Sequence, residues 1–323
     1  MISLGLEGTA HTLGVGIVDD KNVLAERRAV YQPREGIHPR EASRFMADRM
    51  QETLDAALYD AGIKKGDVDL FTFSQGPGLG PCLRTVATAA RALALHYRKP
   101  VMGVNHCIAH IEIGKLVCKK TNPLVLYVSG GNTQILKLRD GRYRIYGETL
   151  DIGVGNMLDK FGRTVGLKHP AGPKIEELAR RGKRFIKMPY AVKGTDLSFS
   201  GILTNAEQKY RKKEYPLEDL CHSLQETSFS MLTEVTERAL AHLKADELLL
   251  VGGVGNNKRL RDMLSIMSGE HGCSFGVPER YCSDNGVMIA YTGLLMYNAG
   301  VRMEIKDTIA RQRYRTDEVK VVW

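Results

Sequence analysis

Two pairs of short apolar segments, about half a chain apart, each enclose a polar bend. Residues 2–6 (ISLGL) and 13–18 (LGVGIV) flank the first bend, and residues 124–128 (LVLYV) and 135–138 (ILKL) flank the second. Short apolar runs bounded by Gly, Ser, Asn and Asp are typical of β-strands that pair in a hairpin. The pattern therefore predicts two hairpins in corresponding halves of the chain.

A strand, a glycine-rich loop and a helix follow each predicted hairpin. Residues 70–74 precede such a loop and then helical apolar spacing over residues 83–97, and residues 248–251 precede a similar loop and a helix over residues 259–267. Because both halves repeat the same order of elements, the sequence predicts a duplicated α/β fold with a cleft between the halves.

Other segments complete this outline. Helical apolar spacing also marks residues 42–61, 175–179, 221–243 and 287–297. Residues 182–201 lack a sustained period and are rich in Gly, Ser and Lys, so we expect a functional loop or insertion there. The polar, basic tail after Thr308 is expected to be a mobile end or a docking strap.

Size and charge narrow the class of protein. The chain has 323 residues, 43% of them hydrophobic, which suffices for two domains of ordinary size. Its net charge of +9 favours an anionic partner, such as a nucleotide or a nucleic acid. The cysteines form no C-x-x-C pair, and neither a signal peptide nor a membrane span is supported, so we expect a cytoplasmic protein without a membrane partner.

Glycines recur at the predicted strand ends. Gly8, Gly130, Gly131 and the run 252–255 can expose backbone N–H groups to a phosphate without an intervening Cβ. An ordinary glycine turn is the commoner explanation of each one alone, but their duplicated placement favours a nucleotide cleft. No G-x-x-x-x-G-K-[ST] motif is present, and residues 76–80 lack the dinucleotide spacing, which argues against P-loop and Rossmann folds.

A histidine pair follows a predicted strand and the helix cap Asn105. His106 and His110 stand at i and i+4 on one helix face, where both imidazoles could bind one metal ion or could be an ordinary helical pair. Cys107 replaces the glutamate that a zinc peptidase needs after the first histidine, which argues against that mechanism.

Several other side chains have both a structural and a functional explanation. Asp284 is a good helix N-cap, Tyr127 fits a half-buried strand, and the acids Asp159 and Glu176 fit the first turns of predicted helices. The same oxygens could bind a metal or a ribose, and spacing alone does not decide. Three basic stretches, each beside an aromatic residue, span residues 180–187, 209–213 and 311–315. They could be solvated surface, but their number and the overall charge favour binding of RNA.

Taken together, these segments resemble one family, the archaeal and eukaryotic tRNA threonylcarbamoyladenosine transferases, which are the catalytic subunits of the KEOPS complex. The segments run in the family's order and are GLEGTAH (5–11), GPGLGPCLR (76–84), NHCIAH (105–110), YVSGGNT (127–133), DLSFSG (196–201), GGV (252–254) and CSDNGVMIA (282–290).

The resemblance implies an α/β, duplicated actin-like fold of the ASKHA, ribonuclease H-like class, with two domains around a nucleotide cleft. We expect residues 1–105, joined by the tail at about 300–323, to form one domain, and residues 106–299 the other, with an insertion near 182–201. The implied reaction moves a threonylcarbamoyl group from threonylcarbamoyl-adenylate to N6 of the adenine beside the anticodon, in tRNAs that read ANN codons. The implied partners are tRNA and the other KEOPS subunits, including a small kinase-like protein.

The resemblance also implies the site. One divalent metal ion, iron or zinc, would be bound by His106, His110, Tyr127 and Asp284. Threonylcarbamoyl-adenylate, or ATP or AMP, would contact Tyr127, Val128, Ser129, Gly130, Gly131, Asp159, Gly172, Glu176 and Asn257, or Asn256 one position earlier. The catalytic general base is unassigned, although Glu7 is a candidate. The alternatives are a small-molecule kinase of the same fold, a metallopeptidase and a scaffold subunit.

Overall fold

The computed structural model of the protein describes residues 1–33 and 36–323. The first half of the chain contains β1 (Ser3–Glu7), β2 (Thr12–Val18), β3 (Val23–Val30), α1 (Pro39–Ala61), β4 (Leu70–Gly76), α2 (Gly80–Tyr97), β5 (Val101–Asn105) and α3 (His106–Cys118). The second half contains β6 (Leu124–Val128), β7 (Thr133–Arg139), β8 (Arg142–Glu148), α4 (Val154–Thr164), α5 (Gly172–Ala179), β9 (Val192–Lys193), β10 (Asp196–Leu197), α6 (Ser200–Arg211), α7 (Leu217–Leu243), β11 (Glu247–Val251), α8 (Lys258–Glu270), β12 (Ser274–Gly276) and α9 (Gly286–Asn298).

The strands form two sheets of the same design. The first has the order β3-β2-β1-β4-β5, and the second has the order β8-β7-β6-β11-β12. In each sheet the opening strand pairs antiparallel with its hairpin partner and parallel with the strand on its other side. Both predicted hairpins and both strand–loop–helix units are present, so the predicted duplication of the α/β fold is confirmed.

Two helices join the halves. Helix α9 lies on β1 and β2, and α3 contacts both α9 and β11 of the second sheet. The approach of α9 to the first sheet is close because Gly5 and Gly16 lack side chains, and a Cβ on either would overlap the α9 backbone. The two helices therefore form the seam between the sheets. The expected division of the domains at residue 105 stays a prediction.

The tail is docked on the protein, whereas residues 182–201, the expected insertion, are mostly exposed. Residues 182–201 are largely irregular, with the short β9–β10 hairpin near their end and the start of α6 at Ser200. The tail is docked, because the Arg311 amide donates to the Gln75 carbonyl and the Val321 amide donates to the Gly141 carbonyl. It thus crosses from the first half to the second, as the strap alternative expects. No helix within residues 1–33 and 36–323 is long and apolar enough to cross a bilayer.

Candidate functional site

Helix α3 presents both histidines of the predicted pair. Its N-cap is Asn105, whose side chain accepts hydrogen bonds from the amides of Cys107 and Ile108 at 3.0 and 3.1 Å. This cap fixes the first turn, so that His106 and His110 lie one turn apart with ring centroids 4.7 Å from each other. The two rings share one helix face, as the i, i+4 spacing predicts, and both side chains are buried.

Asp284 reaches the two imidazoles from the loop before α9. Its Oδ1 lies 3.5 Å from Nε2 of His106 and 3.3 Å from Nε2 of His110, and the three ligand atoms lie within 4.8 Å of one another. Ligands at about 2.0 to 2.2 Å around a tetrahedral ion are roughly 3.3 to 3.6 Å apart. The spacing therefore fits a divalent cation.

The helix-cap explanation of Asp284 is wrong. Helix α9 is capped by the next residue, Asn285, whose side chain accepts the amide hydrogen of Met288 at 2.9 Å. Asp284 is thus left to face His106 and His110. Two acceptable N-cap residue types stand side by side here, and the sequence alone does not tell which one caps.

Glu7, at the end of β1, fixes the orientation of His106. Its Oε2 lies 3.0 Å from Nδ1 of His106, and its Oε1 accepts from the amide and hydroxyl of Thr9 at 2.8 and 2.6 Å. A carboxylate at Nδ1 holds the proton on that nitrogen and leaves the Nε2 lone pair for a metal. Because both of its oxygens are engaged in a fully buried site, Glu7 is a poor candidate for the general base.

Charge within the cluster is strongly coupled. Burial disfavours the charged form of His106, but Glu7 and Asp284 raise its pKa to about 9. For His110, burial prevails and lowers the pKa. Burial acts to raise the pKa of Asp284, yet the two histidines hold it well below its usual range. The cluster therefore offers one carboxylate and one neutral imidazole to a cation, while His106 must first release a proton.

Tyr127, the last predicted ligand, lies at the edge of this cluster. It is fully buried near the end of β6, whereas the sequence pattern predicted a half-buried strand residue. Its ring centroid is 5.7 Å from that of His110. Burial, together with the nearby Cys107 and Asp284, raises its pKa well above the ordinary value. Tyr127 is consequently a neutral phenol in the metal-free protein, and its place as a ligand stays a prediction.

The glycine turn after β6 packs against the start of α4. Gly130 and Gly131 are exposed, and the amides of Gly155 and Asn156 at the start of α4 donate to the carbonyls of Ser129 and Gly130 at 3.1 and 2.9 Å. Because these α4 amides are already engaged by the turn, a phosphate would meet the exposed backbone of Gly130 and Gly131 rather than the helix N-terminus.

Close packing supports this turn from below. Val128 is fully buried, and Gly252 adopts a φ of +93° directly against its carbonyl group. A Cβ on Gly252 would overlap that carbonyl oxygen, whereas a Cβ on the neighbouring Gly253 would meet nothing within 4 Å. In the second glycine-rich loop, the fold therefore requires glycine at position 252 but has space for a side chain at position 253.

A cavity of about 380 Å³ lies between α5, α7 and α8. Its walls include Glu176, one turn after Gly172 in α5, and Gln225, which accepts a hydrogen bond from Asn257 at 2.9 Å. Asn257 also caps α8, whereas Asn256 is exposed and donates to Ser283 beside Asp284. The volume is that of a small-molecule site.

Asp159 is committed to contacts within its own half. One oxygen accepts the Ala171 amide at 2.7 Å, and the other lies 3.3 Å from Nδ1 of His169. Sequence reasoning missed Gln225 and His169, and it missed the contact between Glu7 and His106. Of these residues, only Glu7 could be singled out from the sequence, because it is the acid in the first predicted turn.

Comparison with known proteins identifies the family. A family model described as TsaD, tRNA N6-adenosine threonylcarbamoyltransferase, matches residues 21–291. The chain is 59% identical over 325 residues to the tRNA N6-adenosine threonylcarbamoyltransferase of Thermococcus kodakarensis, with 100% of both chains covered. It is also 55% identical to a probable bifunctional tRNA threonylcarbamoyladenosine biosynthesis protein of Methanobrevibacter smithii, covering 100% of this chain and 60% of that one.

Solved structures with low sequence identity confirm the predicted actin-like fold. HypF of Thermococcus kodakarensis aligns with a TM-score of 0.62 at 14% identity, over 93% of this chain and 48% of that one. The ROK hexokinase of Thermus thermophilus aligns with a TM-score of 0.51 at 16% identity, over 92% and 99%. At such identities the likeness concerns the fold alone. The sequence relatives decide the family, and the chain belongs to the TsaD family of tRNA N6-adenosine threonylcarbamoyltransferases.

Proposed function

We propose that this protein transfers a threonylcarbamoyl group from threonylcarbamoyl-adenylate to N6 of the adenine next to the anticodon, in tRNAs that read ANN codons. The family membership supports the reaction type, an acyl transfer. The observation that carries the metal-dependent form of the proposal is the convergence of His106, His110 and Asp284. In this proposal they bind one divalent ion, iron or zinc, with the Tyr127 hydroxyl as a fourth ligand.

The cleft residues would hold the adenylate. In the proposal the cavity beside Glu176 and Gly172 takes the adenosine, and the turn of Ser129, Gly130 and Gly131 offers backbone amides to the phosphate. Tyr127 and Val128 support this turn. The nucleotide contacts of Asp159 and of Asn257, or of the exposed Asn256, stay predictions, and Asp159 would have to exchange its present contacts with Ala171 or His169 to make one.

The reaction exchanges one bond to the carbamoyl carbon for another. The adenine N6 forms a bond to that carbon, the bond from the carbon to the phosphate oxygen breaks, and AMP leaves with the electron pair. A bound divalent ion supplies Lewis-acid polarisation of the carbonyl group. The residues of the chain orient the anhydride, and the fixed tautomer of His106 keeps the metal ligands aligned.

A basic surface supports tRNA as the partner. The stretches 180–187 and 209–213 meet at the Tyr215 ring, where the Arg184 guanidinium and the Lys209 ammonium lie 5.6 and 5.3 Å from its centroid. Acids pair with cations in all three stretches, with Arg180 and Lys212 in the first two and with Arg311 and Arg315 in the third, but the first two stretches share one aromatic ring. We therefore propose that the first two stretches contact the phosphates of tRNA.

Assembly and compartment belong to the same proposal. The other KEOPS subunits, including a small kinase-like protein, are the proposed protein partners, and the cytoplasm is the proposed location. The sequence relatives named as bifunctional threonylcarbamoyladenosine biosynthesis proteins, of which this chain spans 60 to 62%, are consistent with a multi-part system for this modification.

The decisive experiment joins metal analysis to a transfer assay. The purified chain, with partner subunits added, is supplied with tRNA and pre-formed threonylcarbamoyl-adenylate, and modified adenosine is quantified. His106→Ala is expected to lose metal and transfer while keeping the fold. His271→Ala is the matched control, because that imidazole binds Glu237 at the surface. Transfer by H106A at the wild-type rate would refute the metal role.

The same assay separates the remaining alternatives. A kinase of this fold would form ADP from ATP when a small alcohol is supplied as the phosphoryl acceptor, and it would need no histidine pair. The likeness to a hexokinase supports only the fold. A metallopeptidase would cleave a peptide pool in the presence of metal. A scaffold would remain inactive even with every partner present.

A further inference from the structure

Two histidines meet beside the metal cluster. His11 comes from the loop between β1 and β2, and His169 comes from the loop between α4 and α5. Their ring centroids are 5.3 Å apart in an edge-to-face arrangement with an interplanar angle of 79°. His11 shares its loop with Thr9, which donates to Glu7 at 2.8 and 2.6 Å, and Glu7 faces Nδ1 of His106 at 3.0 Å, so this loop is attached to the proposed metal site. Each half of the fold thus contributes one imidazole.

His169 is part of a carboxylate–imidazole pair. Its Nδ1 lies 3.3 Å from Oδ2 of Asp159, whose other oxygen is held by the Ala171 amide at 2.7 Å. A carboxylate fixed in this way keeps the proton of the neutral ring on Nδ1 and leaves a lone pair on Nε2. Nε2 of His169 is buried and has no hydrogen-bond partner among the described residues. An unpaired buried acceptor is costly unless a ligand completes it.

We propose that Nε2 of His169 accepts the proton of the attacking adenine amine, with Asp159 as its positioning residue. This inference rests on the proposed transferase function and supplies the base that the reaction otherwise lacks. As N6 forms its bond to the carbamoyl carbon, one N–H proton moves to Nε2 of His169. The bond from that carbon to the phosphate oxygen breaks, and AMP leaves with that electron pair. The imidazolium then returns its proton to solvent.

The other candidates for the base are already engaged. Glu7 uses both oxygens within the buried cluster, and His106 and His110 face Asp284. His11 has no carboxylate oxygen within 4.0 Å among the described residues, and burial lowers its pKa. The groups around His169 are Asp159 from α4 and His11 from the opposite half. His110 also has a carboxylate at one nitrogen and an unpaired buried atom at the other, but its Nε2 faces Asp284 as a proposed metal ligand. Of these imidazoles, His169 is therefore the one that has this combination outside the metal cluster.

The test is His169→Asn in the full chain with metal and partner subunits. The asparagine amide can replace the Nδ1–H donor toward Asp159, but it places no acceptor at the Nε2 position. His271→Asn is the matched control, because His271 also binds a carboxylate, Glu237 at 2.7 Å, on the surface. Single-turnover transfer from pre-formed threonylcarbamoyl-adenylate is measured from pH 5.5 to 9 with the metal saturating at every pH, so that loss of metal does not produce an acidic limb, together with AMP binding by calorimetry.

H169N is expected to reduce the single-turnover rate by on the order of 10²-fold and to lose the acidic limb of the pH–rate profile, with AMP affinity unchanged. An acidic limb like that of the wild type, or a loss of AMP binding that accounts for the lower rate, would overturn the assignment. The profile is normalised to each variant's own maximum, so a lower melting temperature does not obscure it. Failure of the wild type to transfer at all would instead overturn the proposed function.

Discussion

The contact between Glu7 and His106 makes a sharp prediction for Glu7→Gln. The wild-type carboxylate accepts from Thr9 with one oxygen and faces Nδ1 of His106 at 3.0 Å with the other, in a site that is fully buried. A glutamine has nearly the same shape but carries one acceptor and one donor group. If its oxygen stays with Thr9, its NH₂ faces Nδ1 of His106 and favours the tautomer with the proton on Nε2.

That tautomer points its proton into the space where the metal ligands converge. If the amide instead turns around, its NH₂ faces the Thr9 amide and hydroxyl, and buried donors oppose one another. Either arrangement weakens the metal site. Loss of a carboxylate behind a metal-binding histidine typically costs 10- to 100-fold in metal affinity, or about 1.4 to 2.7 kcal/mol. We expect E7Q to lie in this range.

The measurement is competition for the metal between the protein and a chelator of known affinity, followed by transfer assays at saturating metal. Glu112→Gln is the matched control, since Glu112 is a buried acid of α3 that binds Tyr143 and Lys115 at 3.1 and 2.9 Å. Wild-type metal affinity in E7Q would refute the reasoning. Equal losses in E7Q and E112Q would show that any buried charge change disturbs the site.

Further predictions concern the loop after β11, the basic surface and pH. Gly252→Ala should destabilise the protein by at least about 2 kcal/mol, through positive φ and overlap with a backbone carbonyl, whereas Gly253→Ala should leave the melting temperature unchanged. Arg184→Glu should weaken tRNA binding and flatten its salt dependence by about one unit in a filter-binding assay, unlike Lys21→Glu in the exposed turn between β2 and β3. Because the raised pKa of His106 is about 9, metal must displace its proton below that pH. Apparent metal affinity should therefore rise by about tenfold per pH unit up to about pH 9 and then level off, and a flat chelator-competition profile would contradict this.

The same histidine sets a pH trend for the stability of the metal-free protein. A pKa raised from 6.5 to about 9 means that the folded state holds a proton which the unfolded chain releases. The stabilising contribution is complete below about pH 6.5 and is lost as the pH rises through about 9. Metal binding and metal-free stability consequently respond to pH in opposite directions over this window.

Local patterns predicted the elements of the fold well, because helix and strand periods and caps depend on near neighbours. Asn105 and the i, i+4 histidines illustrate this, since cap and spacing are both contained in one short segment. The tail strap and the burial of Tyr127 depend on distant partners. Apolar periodicity therefore did not decide between a mobile and a docked tail, and it predicted a half-buried side chain where Tyr127 is fully buried.

The candidate site could be predicted only in part, for a related reason. His110 and Asp284 are separated by 174 positions and His106 and Glu7 by 99, and no local pattern relates such positions. At Asp284, a cap explanation competed with a ligand explanation until the structure gave the cap to Asn285. Family resemblance supplied the ligand set that spacing could not, but it did not indicate the contact between Asp159 and His169.

The predicted metal ligands lie at the seam of the fold and come from both of its halves. Glu7 ends the central strand of the first sheet, the histidines start α3, and Asp284 precedes α9, which packs on that sheet. Tyr127, in contrast, lies one residue before the end of the central strand of the second sheet. In the proposed function, a cation bound by His106, His110 and Asp284 would take its fourth ligand, Tyr127, from the other half. A small movement between the halves would therefore change the distance from Tyr127 to the ion while the other three ligands keep their spacing.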